Sequence, residues 1–345
     1  MLTSLFLLAC QEKEPSPTPD TPIDASTEEV TFSSDDFVLE GTLYLPQHSS
    51  TERVPGVVLA HGSGPQSRLG ENSGQLSMNY GFSIHTYEAI AIGLQNAGYA
   101  VLTYDKRTCG SANGCSNAYP IDYDATVHDF LADASAALDW LSEQEEIDPN
   151  GLIAAGHSQG GSFVPLLMEE RGDLAAGLIL AGGYRPIDQL LAYQLEFTSD
   201  ILEHLNYSEA QIQSATASLS SLVTGVQELR AGEFDGTSIA GASVEFWQSW
   251  LDVSDEAPLA IANIERPIFA VSGSFDWNVP AQETESWGTL FQQYPDIEHE
   301  AKVLDCLSHS FNCISGQGFE VTGFDDEVSS DIIDELARFL DANIP

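Results

Sequence analysis

The residues G-H-S-Q-G at 156–160 place a serine between glycines, directly after a predicted buried strand and directly before a predicted helix. A turn of this kind is sharp and holds the serine hydroxyl exposed at the edge of a sheet. The flanking glycines let the strand and the helix approach each other, and the helix N-terminus supplies positive partial charge where an oxyanion would form. The alternative, a serine that only caps the helix, is disfavoured by this placement. Ser158 is therefore predicted to be a nucleophile.

A serine nucleophile needs a general base, and that base needs a third group to orient it. On turns of this kind an acid and then a histidine follow the serine along the chain. Six of the eight histidines precede or adjoin Ser158 or lie in the helical segment after it, and His299 precedes the last predicted strand of the sheet. His309 follows that strand in D-C-L-S-H-S-F and therefore returns to the edge of the sheet where Ser158 lies. His309 is predicted to be the base.

The candidate for the orienting acid is Asp276, in S-G-S-F-D-W-N-V-P. It follows a strand predicted at residues 268–272, so its loop opens at the same edge of the sheet. Asp252, Asp255 and Asp305 are the alternatives, and in so acidic a chain each candidate could also be an ordinary surface carboxylate. The position at a strand end favours Asp276.

An oxyanion hole needs two backbone N–H groups aimed at one point. Gln159, the residue after the nucleophile, is predicted to supply one of them. The other should come from H-G-S-G-P at residues 61–65, where two glycines allow the backbone to turn its amides towards the site. Ser63 is predicted to be this donor, with Gly64 as the alternative, and His61 is predicted to be a structural hydrogen bonder.

Strands and helices alternate along the chain from residue 30 to its end. Strands are predicted at residues 30–33, 37–45, 54–60, 99–104, 152–155, 176–181, 267–272 and 301–304. Helices are predicted at residues 86–97, 122–144, 160–170, 187–205, 208–231, 244–251, 281–293 and 328–340. This alternation predicts an α/β fold with a mostly parallel central sheet and helices on both faces. Residues 184–263, in which no convincing strand is found, are predicted to form a helical cap over the carboxyl edge of the sheet.

Five segments together resemble a group of bacterial α/β-hydrolases: H-G-S-G-P at 61–65, Y-D-K-R-T-C-G at 104–110, G-H-S-Q-G at 156–160, R-P-I-D-Q-L-L at 185–191 and G-S-F-D-W-N-V-P at 273–280. The group lies between dienelactone-hydrolase-like esterases and serine-aminopeptidase-like hydrolases, and the resemblance extends from about residue 30 to the end of the chain. It implies an α/β-hydrolase fold and esterase activity on small acyl esters without a cofactor. The chain departs from the pattern in a longer and more polar segment after Pro65, at residues 66–85, and in its cysteine pairs.

The composition is strongly acidic, with 11 Lys and Arg against 53 Asp and Glu and a formal net charge of −42. Such a surface repels phosphate backbones and anionic headgroups, which argues against nucleic acid and against direct lipid binding. A small-molecule ester is the expected partner, and the oligomeric state is left open.

Four basic residues are nevertheless predicted in loops at the catalytic edge: Arg68, Lys106, Arg107 and Arg185. They could bind an anionic substrate, but pairing with neighbouring carboxylates is the favoured interpretation.

The N-terminus is apolar from residue 2 to residue 9 and ends in L-L-A-C, which resembles a bacterial lipobox with Cys10 as the lipidated residue. The segment is short for a secretory signal and lacks a basic start, so a chance apolar end is the alternative. Residues 11–29 are rich in Pro, Ser, Thr and acid, which predicts a disordered linker before a domain at residues 30–345. A lipid at Cys10 is the only contact with a membrane that is predicted.

The remaining cysteines form two close pairs, Cys109 with Cys115 and Cys306 with Cys313. Local pairs in Gly- and Ser-rich loops are typical of disulfides in an oxidising compartment, although four free thiols are the alternative. Neither pair has the spacing of a structural zinc site.

The sequence thus predicts an extracytoplasmic serine esterase. An aminopeptidase or acyltransferase with the same three residues is the alternative activity, and a non-catalytic binding lipoprotein is the alternative outside enzymes.

Overall fold

The computed structural model describes residues 21–71, 81, 83–111, 114–115 and 121–344. The strands are β1 Pro22–Ile23, β2 Ser26–Ser34, β3 Phe37–Leu45, β4 His48–Ser49, β5 Val54–Ala60, β6 Ala100–Tyr104, β7 Ile147–His157, β8 Leu174–Leu180, β9 Ser238–Ile239, β10 Ala242–Ser243, β11 Ile268–Gly273, β12 Glu300–Leu304, β13 Ile314–Gln317 and β14 Glu320–Phe324. The helices are α1 Thr86–Asn96, α2 Val127–Ser142, α3 Phe163–Glu170, α4 Ile187–His204, α5 Glu209–Ala231, α6 Val244–Ala260, α7 Ala281–Phe291 and α8 Ser330–Asn343.

Eight of these strands form one sheet in the order β12-β11-β8-β7-β5-β6-β3-β2. The six strands from β12 to β6 are parallel, and β3 and β2 add an antiparallel edge. The predicted α/β fold with a mostly parallel sheet is therefore confirmed. Because parallel strands end at the same edge of a sheet, the loops after β5, β7, β11 and β12 meet there.

The apolar residues of β5 show how helices cover both faces of this sheet. Val57 and Leu59 belong to a buried cluster with residues of α1 and α8. Val58 and Ala60 point to the opposite face and belong to a cluster with residues of α2 and α3. Since successive side chains of a strand alternate between faces, a continuous apolar run fits a strand that is buried on both sides.

The cap consists of α4, α5 and α6, which pack around a small apolar cluster that includes Val226 and Trp247. Two serines of α6 tie it to other helices. Ser249 Oγ accepts a 2.9 Å hydrogen bond from the N–H of Val127, and Ser254 Oγ accepts one of 3.0 Å from the N–H of Ile187. Both donors are the first residues of their helices, whose N–H groups have no partner within the helix. Side chains of α6 thus provide acceptors for the N-termini of both α2 and α4.

The prediction of a disordered linker at residues 11–29 is wrong for the C-terminal part of this range. Pro22–Ile23 pairs with His48–Ser49, and β2 begins at Ser26. Each residue of Ser26–Ser34 is paired with one of Phe37–Leu45, so backbone pairing orders a segment that buries little apolar surface. The earlier part of the linker and Cys10 lie outside the described residues.

Several element bounds also differ from those predicted. The helix predicted at residues 122–144 begins only at Val127, because Thr126 and Asp129 form a capping box that fixes its start. The helix predicted at 244–251 continues to Ala260, since Val253, Ala257 and Ala260 are buried against the core. Two short hairpins were not predicted, β9–β10 within the cap and β13–β14 after the loop that carries His309.

Both predicted disulfides are formed, Cys109 with Cys115 and Cys306 with Cys313, with Cα atoms 5.9 and 4.8 Å apart. Disulfides persist in oxidising compartments, so they indicate an extracytoplasmic location. Among the described residues there is no helix whose length and apolarity would let it span a bilayer.

Candidate active site

The predicted nucleophile lies on the turn between β7 and α3. Ser158 has φ of +54°, a conformation that residues other than glycine rarely adopt. The flanking glycines are required by space, because a Cβ on Gly156 would lie 1.9 Å from the carbonyl oxygen of Gly160. A Cβ on Gly160 would in turn lie 2.8 Å from the carbonyl oxygen of Ala60. The turn is therefore tight, and it holds Ser158 on the wall of a cavity.

The predicted base and acid are hydrogen bonded to each other. His309 Nδ1 lies 2.7 Å from Asp276 Oδ2, and both side chains are buried. The other oxygen, Asp276 Oδ1, accepts hydrogen bonds of 2.8 Å from the backbone N–H groups of Asn278 and Val279. His309 also lines the cavity that holds Ser158. The loops after β11 and β12 thus bring the three predicted residues to one place.

The alternative acids are engaged elsewhere. Asp255 pairs with Arg230 at 2.9 Å, Asp252 accepts a hydrogen bond from Gln248, and Asp305 is exposed. Of the four carboxylates considered, Asp276 is the one bonded to His309.

A buried chain of hydrogen bonds links the loop after β5 to the backbone of His309. The N–H of Gly62 donates to Tyr87 Oη at 2.8 Å, and Tyr87 Oη lies 3.2 Å from His157 Nδ1. His157 Nε2 lies 2.9 Å from the carbonyl oxygen of His309. Burial and the neighbouring His309 hold the pKa of His157 well below its usual range. The ring is therefore neutral, its Nε2–H donates to the His309 carbonyl, and its Nδ1 accepts from the Tyr87 hydroxyl.

The predicted oxyanion loop runs past the nucleophile. A Cβ on Gly62 would lie 3.2 Å from Ser158 Cβ, so glycine makes this close approach possible without a shift of the nucleophile. Gly64 has φ of +79° and turns the chain. Gly62, Ser63 and Gln159 line the cavity, whereas Gly64 is not part of its wall. This placement favours Ser63 over Gly64 among the two candidate donors.

The three arginines predicted at the catalytic edge are all paired with carboxylates. Arg68 contacts three of them, and Arg107 pairs with Asp133 at 2.5 Å. Arg185 Nε contacts Glu283, a buried residue that also accepts two backbone N–H groups. Arg185 differs from the other two because it also lines the cavity.

The fourth basic residue, Lys106, is buried beneath the oxyanion loop. Its Nζ donates to the carbonyl oxygen of Gly62 at 2.7 Å and to Gln159 Oε1 at 2.8 Å. Burial lowers the pKa of Lys106 to about 7. The nearby His61 contacts the carbonyl oxygen of Tyr104 through Nε2, and burial lowers its pKa to about 3. His61 is thus a neutral, buried hydrogen bonder.

The cavity between the sheet edge and the cap has a volume of about 160 Å³. The cap contributes apolar walls from α4 and α6, including Leu190, Leu191 and Trp250, while the sheet side carries Ser158 and His309. This volume is below the roughly 300–1,000 Å³ typical of pockets for drug-sized ligands. Such a cavity is suited to a small, partly apolar group held next to the serine.

The sequence did not single out Tyr87, and it placed Lys106 at the catalytic edge without indicating its contacts with Gly62 and Gln159. Tyr87 is one of several apolar positions on a predicted helix, and nothing in its spacing distinguishes it from a core residue. Lys106 stood among four basic residues in loops, and its burial was the signal that the sequence did not contain.

The chain is similar to known proteins both in sequence and in fold. A family model described as serine aminopeptidase, S33, matches residues 79–312. A search of curated proteins finds no significant match to the sequence. Among solved structures, Est1E from Butyrivibrio proteoclasticus is 15% identical with a TM-score of 0.54, covering 92% of this chain and 98% of its own.

Two further solved structures have the same fold. An esterase from Pyrococcus furiosus is 14% identical with a TM-score of 0.56, covering 93% of this chain and 92% of its own. An acylaminoacyl peptidase from Pyrococcus horikoshii is 14% identical with a TM-score of 0.51 and covers 83% of this chain. The match spans only 38% of that peptidase. At these identities the likeness shows the α/β-hydrolase fold and nothing finer.

Proposed function

Because the chain belongs to the serine aminopeptidase S33 family of α/β hydrolases, we propose that it is a serine esterase that cleaves small carboxylic esters. The observation that carries this proposal is the buried Asp276–His309 hydrogen bond at the cavity whose wall holds Ser158. The burial of Asp276 and His309 and the chain order of Ser158, Asp276 and His309 support a serine nucleophile with its base and orienting acid.

In the proposed mechanism His309 takes the proton of Ser158 as the hydroxyl attacks the ester carbonyl. Asp276 keeps the proton of His309 on Nδ1, so that Nε2 is free to act as base, and it stabilises the imidazolium that forms. The N–H groups of Gln159 and Ser63 are the proposed donors to the oxyanion. The alcohol leaves with the proton from His309, and water then hydrolyses the acyl-enzyme by the same steps.

The composition of the cavity wall favours an ester over the aminopeptidase reaction that the family description suggests. An aminopeptidase must hold a free α-ammonium group, and a buried ammonium needs a carboxylate or several acceptors. Among the described residues that line the cavity there is no Asp or Glu, and the charged one is Arg185. The small volume and apolar cap walls are suited to a short acyl chain.

A substrate series tests this proposal. Hydrolysis of p-nitrophenyl acetate, butyrate and octanoate is compared with that of leucine and alanine p-nitroanilides, with Ser158→Ala as the control for background hydrolysis. We expect the acetate and butyrate esters to be cleaved with the highest kcat/KM. Faster turnover of the aminoacyl anilides would make the chain an aminopeptidase. Failure of a fluorophosphonate probe to label Ser158 would leave a non-catalytic binding protein.

We also propose that Cys10 carries a lipid anchor. The apolar residues 2–9 directly before this cysteine support the proposal, and the disulfides agree with export. Metabolic labelling with a palmitate analogue, compared between the natural chain and Cys10→Ala, tests it. Equal labelling of the two proteins would refute it.

A further inference from the structure

We propose that Lys106 is a positioning residue. It fixes the positions of the two proposed oxyanion donors, the backbone N–H groups of Ser63 and Gln159, relative to each other. This role rests on the proposed function, because it concerns the amides that would bind the oxyanion. Lys106 contacts neither the nucleophile nor the base, and it acts through Gly62 and Gln159.

The contact with Gly62 fixes the orientation of one peptide group. In a trans peptide the carbonyl of Gly62 and the N–H of Ser63 lie in one plane and point in opposite directions. Lys106 Nζ holds that carbonyl oxygen at 2.7 Å from the buried side. The N–H of Ser63 must therefore point away from Lys106, and no partner for it is found among the described residues.

The contact with Gln159 fixes the side chain next to the nucleophile. Lys106 Nζ donates to the amide oxygen of Gln159 at 2.8 Å, so this oxygen faces Lys106. The amide nitrogen Nε2 is then turned away, and it is buried without a partner among the described residues. Gln159 is 4% exposed and lines the cavity. The side chain of Gln159 thus offers an unused donor beside the backbone N–H of the same residue.

The setting of Lys106 indicates a functional reason for the charge. Its Nζ also lies 4.0 Å from the centre of the Phe130 ring. The carboxylate that acts on Lys106 electrostatically, Asp133, is already bonded to Arg107. Removing such a cation from water is costly, and an apolar residue of similar size is often as stable at a buried site. Burial lowers the pKa of Lys106, in agreement with this cost.

The test compares Lys106→Met with Lys302→Met as the control. Lys302 is a half-exposed lysine that pairs with Glu335 and contacts neither Gly62 nor Gln159. The readouts are kcat and KM on p-nitrophenyl butyrate, the Kd of phenylboronic acid, and Tm. A boronic acid forms a tetrahedral adduct with the serine and so reports on the oxyanion hole rather than on substrate binding. For Lys106→Met we expect kcat to fall about 10²-fold and the boronic acid Kd to rise, with KM nearly unchanged. Lys302→Met is expected to behave as the natural protein does.

Several results would overturn the proposal. These are a kcat within about threefold of the natural protein, a loss confined to KM, or a Kd for the boronic acid that does not change. If Lys106→Met does not fold, Lys106→Gln replaces it, because its side chain is uncharged and one atom too short to hold both oxygens, and it must show the same split between kcat and KM. An inactive natural protein that no fluorophosphonate labels would refute the proposed function and this inference together. An active one with an unaffected Lys106→Met refutes this inference alone.

Discussion

Replacing Asp276 by asparagine should inactivate the proposed esterase by forcing the wrong tautomer on His309. In the natural protein Asp276 Oδ1 accepts two backbone N–H groups, at 2.8 Å each, and Oδ2 faces His309 Nδ1 at 2.7 Å. Asparagine has one acceptor oxygen, and the two backbone donors from Asn278 and Val279 require that oxygen to face them. The amide NH₂ must then face His309, whose Nδ1 becomes an acceptor. The proton moves to Nε2, which can no longer take the proton of Ser158.

The expected cost is about 10³–10⁴-fold in kcat, because the base is present but holds its proton on the wrong nitrogen. Asp276→Asn conserves size and the two backbone hydrogen bonds, so Tm should change little. Asp305→Asn, which alters an exposed carboxylate four residues before His309, is the matched control and should keep the natural kcat. The assay is steady-state hydrolysis of p-nitrophenyl butyrate with Tm measured on the same preparations. A kcat for Asp276→Asn within tenfold of the natural value, or a larger loss in Asp252→Asn or Asp255→Asn, would refute this assignment of the acid.

Three further predictions concern the nucleophile, one disulfide and one partly buried histidine. Ser158→Ala should abolish ester turnover and fluorophosphonate labelling without changing Tm, and turnover near the natural kcat would end its assignment as the nucleophile. Cys306→Ser combined with Cys313→Ser should lower the free energy of unfolding by about 2–3 kcal/mol, as expected for a loop of eight residues. It should also reduce kcat because that loop carries the base, and equal kcat in the oxidised and reduced natural protein would contradict this. Burial lowers the pKa of His299 to about 4, so the unfolded state binds one more proton between about pH 4 and 6.5 and the free energy of unfolding falls as the pH drops through that window. In denaturant melts of His299→Gln, the free energy of unfolding should depend on pH with a slope that is smaller by one proton across that window. An unchanged slope would contradict a neutral His299 in the folded protein.

The parallel sheet could be predicted closely because its signal is local. The bounds predicted for Val54–Ala60 and Phe37–Leu45 are those observed, since each is a short apolar or alternating run between turn residues. The meeting of Ser158, Asp276 and His309 at one place could also be predicted, because each follows a strand and parallel strands end at the same edge of the sheet. The structure places these residues together.

What the sequence did not reveal depends on contacts between residues far apart in the chain. Lys106 meets Gly62 across 44 positions and Gln159 across 53, and Tyr87 meets His157 across 70. The periodicity of apolar residues along the chain carries no information about such contacts. The hairpin Ile314–Gln317 with Glu320–Phe324 was missed for a different reason, because it contains three glycines and mostly exposed residues that resemble a loop.

The two serines of α6 have a consequence for how the cap can change in evolution. Ser249 accepts the first N–H of α2, a helix that packs on the sheet, and Ser254 accepts the first N–H of α4, a helix of the cap. A foreign cap grafted onto this scaffold would leave the first N–H of α2 buried without a partner unless it brought a hydroxyl to the same place. The cap is therefore not an interchangeable module. Substrate preference in such a chain can diverge readily through side chains on the inner walls of α4 and α6, whereas a replacement of the whole cap must also supply an acceptor for the first N–H of α2.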